Sequence, residues 1–205
     1  MHIEGGEHAA AAPAPADMRA QANAGKPIVV ALIGLPGAGK SVVARALEDQ
    51  LGLRRICRDT IRAAMFPKCS YSFAEKRAAF RAQLVALEIN CLLGNSSVLD
   101  GVTFSRRRDL QRVESVVRRY GFAVVPIYLE CPPDVARARI ADDIAHDRHL
   151  ARDRRPETVT EVLLRFEPPP PSALVIDATL SAVEVCRLTV EAASAMRDGR
   201  SLYGV

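Results

Sequence analysis

Residues 28–33 form an unbroken apolar run between Pro27 and Gly34, the pattern of a strand buried on both faces. Over residues 41–51, Val43, Ala46, Leu47 and Leu51 recur at helical spacing, while Arg45, Glu48 and Asp49 face elsewhere. Gly52 then supplies a C-cap. A short strand is expected at 55–57. Between 75 and 93, Phe80, Leu84, Leu87 and Cys91 follow one another at spacings of four, three and four, which predicts a long amphipathic helix ending at Gly94-Asn95. Residues 97–100 return as a strand. Residues 106–120 read as a helix with Leu110, Val113 and Val117 on its apolar side, closed by Gly121. The next strand, 123–129, is broken by Pro126, which either weakens the strand pattern locally or places that residue near a sheet edge. Pro132-Pro133 opens a helix to about residue 144. A polar, arginine-rich connection at 146–156 leads to a helix at 158–166. The prolines at 168–171 form a stiff connector to a strand at 174–177, and a helix at 181–196 closes the chain. No internal repeat is present. Strands alternating with helices predict an α/β fold: a five-stranded parallel sheet with helices on both faces.

Two parts of the chain fall outside this pattern. Residues 1–26 are rich in Ala, Pro and Gly and lack apolar periodicity, so they are expected to form a flexible tail preceding one domain at 27–205. That segment has neither the apolar core of a secretory signal nor the arginines of a transit peptide. No run of 18 apolar residues exists, so no membrane span is expected. The five cysteines are dispersed without a CxxC pair, which argues against a disulfide framework or a zinc site and points to the cytoplasm. A net charge of +4 suits a phosphate-bearing ligand without requiring nucleic acid.

Gly34-Leu35-Pro36-Gly37-Ala38-Gly39-Lys40-Ser41 matches GxxxxGK[ST], after a buried strand and at the opening of a helix. Glycines let successive N–H groups curl around phosphate oxygens, and the helix terminus adds partial positive charge. Lys40 is placed to reach the β- and γ-phosphates and Ser41 to ligate magnesium. The candidate ATP-binding residues are therefore Gly34, Pro36, Gly37, Ala38, Gly39, Lys40, Ser41 and Val42, with Mg2+ as the accompanying ion. Asp59 and Arg62 lie just past the second predicted strand, on one helical turn. They read either as a general base with an anion-binding arginine or as an N-cap aspartate beside a solvated arginine. Asp100 ends the strand at 97–100, as a magnesium-side acid or as a turn aspartate before Gly101. Arg148, Arg152, Arg154 and Arg155 form either a basic segment closing over the phosphates or a solvated loop that also carries Asp147 and Asp153. Arg148 and Arg152 are the two candidate phosphate contacts among them.

From residue 28 to 177 the chain resembles the small P-loop kinases grouped with the kinase domain of bacteriophage polynucleotide kinase, chloramphenicol phosphotransferase and the zeta toxins. The GLPGAGKS loop carries the likeness, with the RDTIRAAM segment at Arg58, VLDGVTFSRRR at Val98 and RPETVTEVLLRFEPP at Arg155. The resemblance implies that Asp59 is the general base and Arg62 the clamp on the acceptor. Family members usually set arginines at regular spacing before the lid, whereas here Arg137 and Arg139 are followed by Ala141-Asp142-Asp143.

The resemblance does not select the acceptor. Phe66, Tyr71 and Phe73 are available either to line an acceptor site or to pack under a loop. Arg106, Arg107, Arg108, Arg112, Arg118 and Arg119 would suit a polynucleotide track, or a solvated helix face shared with Asp109 and Glu114. The absence of tryptophan and the aromatic content of 5% favour a small-molecule acceptor such as a sugar, nucleoside or antibiotic. The alternatives are a 5′-hydroxyl polynucleotide kinase and a nucleotide-dependent ATPase that acts on a protein partner.

Overall fold

A computed structural model describes residues 25–146 and 153–200. Its strands are β1 (Ile28–Ile33), β2 (Arg54–Cys57), β3 (Ser97–Asp100), β4 (Ala123–Glu130) and β5 (Leu174–Asp177). Its helices are α1 (Lys40–Leu51), α2 (Arg58–Met65), α3 (Phe73–Leu92), α4 (Arg107–Val117), α5 (Pro133–Ala145), α6 (Glu157–Leu163) and α7 (Ala182–Arg197). The strands form one parallel sheet in the order β2-β3-β1-β4-β5. This is the α/β architecture, a five-stranded parallel sheet, that the alternating pattern predicts.

Strand β1 lies at the centre, with Val29 opposite Ser97 on one side and Val124 on the other. All six of its residues are buried, and successive side chains enter opposite faces. Ile28, Val30 and Leu32 pack with Val43 and Leu47 of α1, Ile140 of α5, Val159 of α6 and Val185 of α7. Val29, Ala31 and Ile33 pack on the other face with Phe80 and Leu87 of α3 and Val113 of α4. Burying each such aliphatic side chain contributes on the order of 1.5–3 kcal/mol, so the apolar run at 28–33 anchors both layers.

Several boundaries differ from the sequence pattern for local reasons. The helix expected over 106–120 stops at Val117 and tightens into a 3-10 turn, Arg118–Tyr120, before Gly121. The helix expected over 158–166 ends at Leu163. Beyond it Glu167 N–H donates to the Ser105 carbonyl at 2.8 Å, and the Glu167 carboxylate accepts from Arg107 N–H at 2.8 Å. Pro126 lies within an interior strand, not at a sheet edge, but β5 joins β4 only from Ile127 onward. The missing N–H therefore removes no bond to β5. Lys26, expected in the tail, donates its N–H to the Arg197 carbonyl at 2.7 Å and so is joined to the domain. Among the described residues no helix is long and apolar enough to cross a membrane, and all five cysteines are free thiols.

Because every strand is parallel, their carboxyl ends share one edge of the sheet. The chain leaves β1 for the far edge at β2 and leaves β3 for the opposite side at β4. A crevice therefore opens beyond β1 and β3, where open α/β sheets bind ligands.

Candidate active site

The loop from Gly34 to Gly39 turns sharply out of β1 and delivers Lys40 and Ser41 as the first residues of α1. Gly37 has φ +88°, and a Cβ there would run into the Ala136 carbonyl in the first turn of α5. Only glycine allows the loop to pack this closely against that helix. Pro36, Gly37, Ala38, Gly39, Lys40, Ser41 and Val42 all line one cavity of about 770 Å³ at the carboxyl edge of the sheet. Gly34 lies beneath it, its N–H bonded to the Thr103 carbonyl at 3.1 Å.

Lys40 is 9% exposed, and its ammonium donates to the carbonyls of Gly34 at 2.9 Å and Leu35 at 2.7 Å. Burial, reinforced by the nearby charge of Arg154, pushes this amine down to about 7, against an opposing pull from Asp100. A phosphate group beside it would raise it again. Nucleotide binding at pH 8 should therefore take up close to one proton, whereas at pH 6, where Lys40 already holds its proton, uptake should vanish. Calorimetry of ATP binding in buffers of different ionisation enthalpy checks this, and Lys40→Met should show uptake at neither pH.

Ser41 Oγ donates to Asp100 Oδ1 at 2.9 Å, and the same oxygen accepts from Gly101 N–H at 2.7 Å. Asp100 is 1% exposed, and its Oδ2 accepts from Arg55 at 3.1 Å. Arg55 also donates to Glu48 at 3.0 Å, so it ties β2 to α1 across the end of β3. Ser41 and Asp100 thus form a pair of hard oxygen donors, which fits Mg2+. No group of three or more His, Cys, Asp or Glu able to hold a metal exists among the described residues, so phosphate and water oxygens would complete the shell.

Asp59 reaches the same cavity from the second residue of α2. Cys57 occupies the N-cap position, and no side chain caps the helix. Asp59 Oδ1 lies 3.2 Å from the Arg62 guanidinium and 3.7 Å from that of Arg58, yet it has no well-aligned hydrogen-bond donor. Arg62 is 3% exposed and lies 4.6 Å from the centre of the Tyr71 ring, which covers it. Gly101, at φ +78°, allows the turn after β3 to approach α2; a Cβ there would lie 3.2 Å from Asp59 N. Gly101→Ala should therefore destabilise the fold by about 1–2 kcal/mol. Denaturant unfolding checks this value.

Arg154 enters the cavity, held by Asp143 at 3.2 Å, and Lys76 at the start of α3 binds Asp153 at 2.7 Å. Burial pushes the Arg154 guanidinium down. Arg155 instead turns outward to Glu161 at 3.0 Å, while Arg148 and Arg152 lie outside the described residues. Apolar Ala178, Leu180 and Val185 also line the cavity, with Arg139, whose guanidinium donates to the Ala178 carbonyl at 2.9 Å.

Of the three aromatics considered for the acceptor side, Tyr71 covers Arg62 and Phe73 is 72% exposed beside Arg77. Neither they nor Phe66 line the cavity, and none of the arginines between 106 and 119 does so. Arg112 and Arg119 pair instead with Asp109 and Glu88. Arg55, Arg58, Lys76 and Gln83 were not singled out by sequence pattern. Arg58 directly precedes Asp59, and Gln83 is a polar residue on an apolar helix stripe; both signals were available.

The fold is shared with solved proteins of low sequence identity. A Chloroflexus aurantiacus j-10-fl protein aligns at 20% identity and TM-score 0.65, over 83% of this chain and 98% of its own. A gluconokinase from Sinorhizobium meliloti 1021 aligns at 16% and 0.62, over 84% and 95%. The Mycobacterium tuberculosis APS kinase CysC aligns at 17% and 0.60, over 83% and 99%. No curated protein matches the chain. The AAA domain model AAA_33 matches residues 29–169, which spans β1, the glycine loop, Asp59, Asp100 and α6, and the chain belongs to that P-loop kinase family.

Proposed function

We propose that the protein transfers the γ-phosphate of ATP to a hydroxyl group of a small molecule. The observation that carries this reading is the placement of Asp59 and Arg62 in the same cavity as the glycine loop, Lys40 and the Ser41–Asp100 pair. The spacing of Asp59 and Arg62 also supports kinship with the polynucleotide kinase, chloramphenicol phosphotransferase and zeta toxin group. Solved relatives of this fold include a gluconokinase and an APS kinase with AMPPNP and APS bound, which supports a small acceptor and ATP as donor. The arginine face of α4 contributes nothing to the cavity lining, which favours a small acceptor over an oligonucleotide.

In this reading the adenine lies against the apolar Leu180 and Val185 of the cavity lining, and the loop N–H groups cradle the phosphates. Mg2+, held through Ser41 and Asp100, would neutralise charge on the β- and γ-phosphates. Asp59 accepts the proton of the acceptor hydroxyl, whose oxygen forms the new bond to Pγ as the bond to the bridging oxygen breaks and ADP departs. Arg62 holds the acceptor, and Arg154 lies beside Lys40 to stabilise charge on the phosphoryl group. Five free thiols suit a reducing cytoplasm.

The test is incubation with γ-labelled ATP and magnesium against pools of sugars, nucleosides, antibiotics and 5′-hydroxyl oligonucleotides. Label on a small-molecule pool supports the proposal. Label on the oligonucleotides alone would replace it with a polynucleotide kinase. Release of inorganic phosphate alone would indicate an ATPase.

A further inference from the structure

Helix α3 carries its apolar side toward the sheet through Phe80, Leu87 and Cys91. Gln83 occupies the same stripe and is 0% exposed. Its Nε2 donates two hydrogen bonds at once, to the Ile56 carbonyl at 2.7 Å and the Asp100 carbonyl at 2.8 Å. These carbonyls belong to adjacent strands near their carboxyl ends, Ile56 being the next-to-last residue of β2 and Asp100 the last of β3, and the two strands end in register with Cys57 opposite Asp100. Three residues beyond the first carbonyl stands Asp59; the second belongs to Asp100 itself. The remaining oxygen, Gln83 Oε1, is buried with no hydrogen-bond partner.

We infer that Gln83 is a positioning residue: a clamp across the β2 and β3 ends that fixes the separation of Asp59 from the Ser41–Asp100 pair. It touches neither reactant. The approach of Gly101 to the Asp59 backbone makes the two acids a coupled unit, because displacement of one strand end moves the other. This inference rests on Asp59 acting as base. The expected effect falls on the transfer step, because both hydrogen bonds of Gln83 go to β2 and β3, whereas the glycine loop leaves β1. Misplacement of a reacting group by about 1 Å costs on the order of 100-fold in rate.

The test compares wild type with Gln83→Leu and Gln83→Glu. Gln83→Leu should lower kcat by about 10- to 100-fold with ATP affinity changed by less than about threefold. Gln83→Glu keeps the shape, but its carboxylate presents only acceptors to the two carbonyls, and its protonated form regains one donor. Its activity relative to wild type should therefore rise as pH falls. A kcat equal to wild type in Gln83→Leu would overturn the inference. So would parallel losses of kcat, ATP affinity and Tm without the pH signature, since these describe a merely structural residue. If wild type transfers phosphate to no acceptor, the kinase proposal fails by itself, and amide exchange then decides the clamp. Faster exchange confined to residues 57–59 and 100–102 in Gln83→Leu supports it, and unchanged exchange there overturns it.

Discussion

Lys40→Ala should abolish phosphoryl transfer, with kcat/KM reduced by at least about 10³-fold, comparable to or beyond the loss of a preorganised electrostatic donor in other enzymes. Lys40 is the one cation that leads directly out of the glycine loop, and it is buried there with both its bonds made to loop carbonyls. Those bonds hold the amine where phosphate oxygens would replace carbonyl oxygens as acceptors. Alanine keeps the first turn of α1, since it is the best helix former, and it removes a cation that burial disfavours. The fold should therefore survive, with Tm near that of wild type. Steady-state transfer assays together with a thermal melt check the prediction. Substantial turnover by the folded variant would show that the loop amides and Arg154 suffice to neutralise the phosphates.

Asp59→Asn should retain ATP binding and lose transfer by about two to four powers of ten. Asparagine has the same shape and keeps its place in the first turn of α2, but its amide cannot take the proton of an attacking hydroxyl. The substitution also releases Arg62 and Arg58 from their carboxylate partner. An acceptor bearing an anion should then bind at least as tightly, so that the loss appears in kcat and KM does not rise. Full activity of Asp59→Asn would remove Asp59 as the base. A loss confined to KM would make it a binding residue instead.

Much of this arrangement was legible before any coordinates, because parallel strands bring their ends together. Once 28–33, 55–57 and 97–100 read as strands, the residues that follow each one had to share an edge. That argument alone placed Gly34–Ser41, Asp59 and Asp100 in one crevice. Partner choice was not legible in this way. Nothing local to Arg55 indicates that its guanidinium reaches Asp100 and Glu48, because that contact depends on the register of β2 with β3. Likewise Arg154, not Arg155, turns into the cavity, a choice made by Asp143 and Glu161 on the surrounding helices. The sequence left the aromatic residues open, between lining an acceptor site and packing under a loop, for a similar reason. Tyr71 looked available to line an acceptor site, but the guanidinium of Arg62 lies over its ring.

The position of β1 has a consequence for how the chain reaches this state. The most buried strand emerges first in synthesis, yet its neighbours are Ser97–Asp100 and Ala123–Glu130, many tens of residues downstream. Until those arrive, an apolar hexapeptide of high β propensity has no native strand partner. Contacts of such large sequence separation slow folding, because loop closure must precede any gain from pairing. The nascent chain is therefore expected to be most vulnerable to aggregation during elongation from β1 to β3. Sheet assembly then begins around β1 once β3 has been made.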